Sequence, residues 1–230
     1  VNTTMKTREI RLREILGGKA LPFGDKKALL TSSWVSEVYH IYKKLGGILD
    51  TFPTRVGHWD VFLDRSTAAE KLGFGREAMT ELDEEQHFNR YRLVTLDASF
   101  YSKLITFPID DYRQYCERHE DAALHRGSHG GYWTNKAVEK QFGPAGANGI
   151  FGCNGAPRWK QRAFYDMLKD LASLVIDIPL ARISVWDYVH QENETTETVG
   201  DILKLTPDRV SAKQVEALKK LVFGRFSRRF

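Results

Sequence analysis

The sequence has little of what staples a fold covalently or anchors it in a membrane. Its two cysteines, Cys116 and Cys153, in 230 residues are too few for a disulfide framework, which excludes the small secreted scaffolds and fits a reducing compartment with free thiols. That points to the cytoplasm. No apolar run approaches the roughly 20 residues needed to span a bilayer, and the opening VNTTMKTREIRLREI has no signal-peptide core. No membrane partner is expected. Neither sign of charge dominates: the formal net charge is +4 and the pI about 9.0, a mild basic bias that permits a polyanionic partner without demanding one. Internal repeats and low-complexity tracts are absent. What is present is 42% hydrophobic content, enough for one substantial core.

Patterning predicts an α/β chain. A short helix over residues 7–16 precedes GGKALPFGDKK, whose Gly and Pro read as a loop, so residues 1–30 look peripheral. Trp34, Val38, Ile41 and Leu45 recur at helical spacing, with Ser32 or Ser33 able to cap and Gly46-Gly47 to terminate. Residues 57–64 and 78–83 have strand composition. Helical patterns follow from Phe88 and over 110–124, and residues 126–157 are dense in glycine and read as irregular surface. Residues 159–174 are helical and 179–186 read as a buried strand. Beyond them lie a polar loop, a helix from Ser211 and a basic tail containing Arg225, Arg228 and Arg229. The expected organisation is a core over 31–96 and 158–187, an insertion over 97–157 and a helical C-terminal appendage over 188–230.

Metal-assisted phosphodiester hydrolysis needs hard oxygen ligands converging on divalent cations. Here Glu37 lies on a predicted helix and Asp60 on the next strand, while Glu81 and Asp83 share one face of a further strand because side chains alternate with period two. An acid between Trp59 and Val61 is costly to bury unless it is paired or metal-bound. This order resembles the PD-(D/E)XK nuclease superfamily, in particular a very-short-patch-repair-like branch whose second motif reads E-x-D-G-x-Q-H; the matching stretch is Glu81-Leu82-Asp83-Glu84-Glu85-Gln86-His87. SEVYHIYKKLGG is similar to the family's first helix, HWDVFL to its acidic strand, and Lys160 to Trp186 to its closing helix and strand. Two departures stand out. Glu84 replaces the usual glycine, and the lysine of the superfamily name is missing, its formal position being Asp83.

The resemblance implies a restriction-endonuclease-like core with a mixed central sheet flanked by helices, and a metal-dependent DNA endonuclease acting in restriction, repair or phage defence. Asp60, Glu81, Asp83 and Gln86 would be catalytic, with Gln86 orienting the attacking water. Glu37, Asp60 and Glu81 would hold Mg²⁺ or Mn²⁺, and His87, Arg90, Lys160 and Arg162 would contact DNA. A homodimer is compatible with cutting both strands. Alternatives are a non-catalytic DNA-binding module on the same fold and a hydrolase using His87 or His58 with a carboxylate. Cys116, His119, His125, His129 and Cys153 lack the short, regular ligand spacing of a structural zinc site.

Overall fold

The computed structural model describes residues 3–22, 26–54, 57–104, 106–190 and 196–227. In chain order, α1 (Thr3–Leu16) leads into β1 (Lys19–Pro22), then α2 (Lys26–Thr31) and α3 (Val35–Lys44). β2 (His58–Leu63), α4 (Arg65–Leu72) and β3 (Ala78–Asp83) follow, and after them α5 (Arg90–Thr95). Four helices then fill the central region: α6 (Ile109–Arg118), α7 (Glu120–Gly127), α8 (Gly130–Trp133) and α9 (Lys136–Phe142). The long α10 (Pro157–Val175) leads to β4 (Leu180–Ser184), a small hairpin of β5 (Tyr188–His190) and β6 (Thr196–Thr198), α11 (Val199–Lys204) and α12 (Ala212–Ser227).

Four strands form one mixed sheet in the order β1-β2-β3-β4: the first three are antiparallel to their neighbours, and β4 runs parallel to β3. A parallel neighbour needs a crossover, and the chain between β3 and β4 provides it, ending in α10. Side chains of β3 divide cleanly. Met79 faces one core with Trp59 and Phe62, packed by Phe164, Met167, Leu168 and Leu171 of α10. Ala78 and Leu82 face the other with Val61, Leu63, Ala181 and Ile183. Period-two alternation therefore puts Glu81 and Asp83 on the α10 side. All six residues of β3 are buried because the strand is central and covered on both faces.

Local chemistry sets the element ends. Asp64 caps α4 by accepting from the Thr67 N–H, Asn89 caps α5 through Tyr91 and Arg92, and Asn135 caps α9. Pro157 starts α10, where its missing N–H costs nothing. Gly18 is required by a close approach: an added Cβ would lie 2.4 Å from Val61 Cγ1 and 2.8 Å from the Phe62 carbonyl.

Three sequence expectations change here. KALP is not loop but the edge strand β1, and α1 buries Leu12 and Leu16 against the sheet, so the N-terminal segment belongs to the core. The glycine-rich stretch contains α8 and α9, whose surroundings include a small aromatic cluster of Trp133 and Trp159 with Ala123 and Ala156. The C-terminal segment is no appendage, because Val199, Ile202, Leu218, Val222 and Phe226 complete the second core. Arg225 of the basic tail is ion-paired with Asp187 at 3.1 Å; Arg228 and Arg229 lie outside the described residues. No described helix is long and apolar enough to cross a membrane.

Candidate functional site

At Asp60 the β2–β3 ladder stops. Val61, Phe62 and Leu63 pair with Thr80, Met79 and Ala78, but the β1 register slips at the same place. Side chains take over from backbone: the Asp60 N–H donates to Glu81 Oε1 at 2.9 Å, and the Leu82 N–H donates to Asp60 Oδ2 at 3.0 Å. The bulge re-aims an acidic side chain, a common use of such irregularities. Across from it, the Lys169 ammonium of α10 donates to Glu81 Oε2 and lies over the Trp59 ring. Burial and the neighbouring Asp60 push the Glu81 carboxyl up to about 7 despite Lys169. Burial also raises Asp60, with Lys169 opposing and Glu9 adding to the rise. Two acids and one buried lysine thus share one desolvated spot.

Glu9 of α1 extends this group outward. Glu9, His58 and Asp60 bring one ligand atom each within 4.8 Å of one another, an arrangement able to hold a metal ion. Arg13 pairs with Glu9 and donates to the Asp60 carbonyl at 2.9 Å. Glu9, Arg13 and His58 also line an open cavity of about 310 Å³.

A second group lies further along β3. His87 Nδ1 is 2.7 Å from Asp166 and 3.1 Å from Asp83. With carboxylates on both sides, Nδ1 must carry the hydrogen. Burial disfavours the imidazolium, but the two acids outweigh it and raise the pKa of His87, while the same contacts hold Asp166 far below the usual carboxylate range against burial. Beneath them, the fully buried Arg182 of β4 donates to Asp83 and Asp170 at 2.6 Å each and to the Asp166 carbonyl at 3.0 Å. Arg92 and the Tyr101 hydroxyl complete Asp170, and the Tyr112 hydroxyl donates to Asp83.

Glu84 completes the rim. It lies 3.4 Å from Arg8, yet its Oε1 has no hydrogen-bond partner and burial lifts its pKa from 4.5 to about 7. The proton-bound form is thus favoured in the folded state. Stability linked to Glu84 is fully present below pH 4.5 and lost as pH rises through 7. Glu84→Gln is expected to flatten part of that decline and to be neutral or stabilising at pH 8, read from urea midpoints at pH 5 and pH 8. A slope as steep as in the parent protein would refute it.

A family described only as a family of unknown function, DUF7255, matches residues 40–205. The chain belongs to the DUF7255 family. No curated protein and no solved structure matches the chain. The DUF7255 match contains Asp60, Glu81, Asp83, His87, Asp166, Lys169 and Arg182, whereas Glu9 precedes it.

Within this frame the expected site residues separate. Asp60 and Glu81 come together, and Asp83 and His87 form the neighbouring group. Glu37 does not join them: its carboxylate accepts from the Ser99 N–H at 2.6 Å and the Ser99 hydroxyl at 3.0 Å. The helix acid beside Asp60 is Glu9. Gln86 is buried, donating to the Arg126 carbonyl with its Oε1 unpartnered. Arg90 is committed to Glu120 and the Phe151 ring, and Lys160 to Asn154 and the Tyr91 ring. Arg162 lies near Glu84 and Asp166. Lys169, Asp166 and Glu9 were not singled out by sequence, and His58 was named only for the alternative hydrolase reading. The available signal was in α10, where Asp166, Lys169 and Asp170 interrupt an otherwise apolar stripe.

Proposed function

We propose that this protein is a divalent-metal-dependent nuclease hydrolysing DNA phosphodiester bonds, built on a restriction-endonuclease-like core. The observation that carries the reading is the convergence of Asp60, Glu81 and the buried Lys169 at the break in the β2–β3 ladder. The resemblance calls for an acidic helix, an acidic strand, an E-x-D strand, and a closing helix and strand. β2, β3, α10 and β4 follow in that order, but the helix assigned by the resemblance, α3 with Glu37, lies away from the site, and Glu9 of α1 stands beside Asp60 in its place. Lys169 offers from α10 the lysine that β3 lacks. This also weakens the case for a non-catalytic binding module, which rested on the missing lysine.

Glu9, His58 and Asp60, with Glu81 behind them, would hold Mg²⁺ or Mn²⁺; oxygen-rich donors suit these hard cations, and the mutual repulsion of Glu9, Asp60 and Glu81 is what a cation relieves. The chemistry supplied by such an ion, were it bound there, would be polarisation of a phosphoryl oxygen and acidification of a water. The chain's own groups do the rest. Lys169 compensates the paired acids and presents positive charge where negative charge develops. His87, its Nδ1–H anchored by Asp166 and Asp83, keeps Nε2 for proton transfer.

The test is incubation of supercoiled plasmid and single-stranded DNA with the purified protein and Mg²⁺ or Mn²⁺. Cutting is expected that disappears with EDTA and in Glu81→Ala. Cutting that survives both, or no cutting of any DNA, would sink the proposal.

A further inference from the structure

Among the described residues, the buried cations have their charge answered. Arg8 holds Glu85, Arg92 holds Asp170, Lys169 holds Glu81, Arg182 holds Asp83 and Asp170, and Arg225 holds Asp187. Lys160 has Asn154 and an aromatic face. Arg162, half-buried, has no such partner. Its NH1 is buried without a hydrogen-bond partner, and neither Asp166 nor Glu84, the acids that influence it, makes an ion pair with it. The charge that acts on it most strongly is another cation, Arg158, one turn earlier on α10, so burial and like charge together push the guanidinium down to about 10.

A buried guanidinium nitrogen left without a partner is costly, and native chains satisfy such groups with a partner, a water or a ligand. The position is informative. Arg162 also feels Tyr132 of α8 and lies beside Glu84 and His87, so it stands where the first turns of α10 meet the rim of the acidic site. An anion bound there would face the imidazole.

We propose that Arg162, aided by Arg158, forms a phosphate-binding subsite that grips a backbone phosphate of the nucleic-acid strand lying in the adjacent site. Guanidinium groups match phosphate oxygens with two parallel N–H donors, which a lysine cannot do. The identity of the anion as part of a nucleic acid rests on the nuclease reading; the anion site itself does not.

The experiment measures melting temperature in inorganic phosphate against NaCl at matched ionic strength, and affinity for a short single-stranded oligonucleotide in EDTA. Wild type, Arg162→Met and Arg162→Lys are compared. Phosphate is expected to raise the wild-type melting temperature saturably and to have no such effect on Arg162→Met. The unliganded Arg162→Met protein should melt no lower than wild type, because a buried donor without a partner has been removed. Oligonucleotide affinity should fall about tenfold in Arg162→Met, the worth of one charge-assisted contact, with Arg162→Lys intermediate. An Arg162→Met protein that melts lower or fails to fold, or an equal phosphate response in both proteins, overturns the subsite and makes Arg162 structural. A phosphate response that depends on Arg162 in a protein that cleaves no DNA would leave the subsite standing while the nuclease reading falls.

Discussion

Arg182→Met is expected to destabilise the protein by about 3–5 kcal/mol, the scale for removing one partner of a buried ion pair. Arg182 is 1% exposed and sits between Asp83 and Asp170, with a third contact to the Asp166 carbonyl. Methionine fills much of the volume, so the loss is electrostatic and not a cavity. Asp83 would keep the Tyr112 hydroxyl and His87, and Asp170 would keep Arg92 and Tyr101, but each would carry its charge in a dry interior with less to oppose it. Against a typical total of about 5–15 kcal/mol, that is a large share. An exposed pair such as Lys204 with Asp201 should contribute about 1 kcal/mol or less, so Lys204→Met serves as the contrast. Urea denaturation of both variants measures the difference. An Arg182→Met protein within 1 kcal/mol of wild type would mean that the network is not holding the sheet to α10.

The same network shows what could be read from sequence and what could not. Asp60 and Glu81 were legible because each interrupts an apolar strand, where an unpartnered acid would be too costly; alternation then placed Asp83 on the face of Glu81. α10 and β4 were legible from the 3.6-residue and buried-run patterns. Lys169 and Asp166 were not, because they meet Glu81 and His87 across 88 and 79 residues, and on a helix a charged residue bordering an apolar stripe looks the same whether it faces solvent or the interior. Glu37 and Glu9 show the converse error. Both lie on predicted helices, and nearness in sequence favoured Glu37, whereas the chain returns α1 to the Asp60 end of the sheet and commits Glu37 to Ser99. β1 escaped notice because four residues containing a proline, after two glycines, carry no alternation to detect; their strand character comes entirely from pairing with β2. The docking of α12 had the same origin. Its helix was predicted from local pattern, but its role in closing the second core depends on the shape of the sheet it meets.

Lys169→Met should lower DNA cleavage by roughly a hundredfold to a thousandfold, the range for losing one preorganised electrostatic stabiliser, and should do so while strengthening metal binding. The two effects follow from one contact. In the parent protein the ammonium neutralises Glu81 and opposes the charge of Asp60, the same work a divalent cation would do at the outer edge of the cluster. Without it the acids repel one another in a buried setting, so a cation held by Glu9, His58 and Asp60 gains from relieving them. Calorimetric titration with Mn²⁺ should therefore show a lower Kd in Lys169→Met than in wild type, alongside the slower cutting. Glu9→Gln should act in the opposite sense on binding, raising the Mn²⁺ needed for half-maximal cleavage, and Glu37→Gln should leave cleavage unchanged. A lysine that merely packs α10 against Trp59 would behave differently, since its loss would loosen the site and weaken metal affinity and cleavage together. Weaker Mn²⁺ binding in Lys169→Met would thus assign the residue to structure and leave Asp60 and Glu81 without the cation that completes the proposed catalytic group.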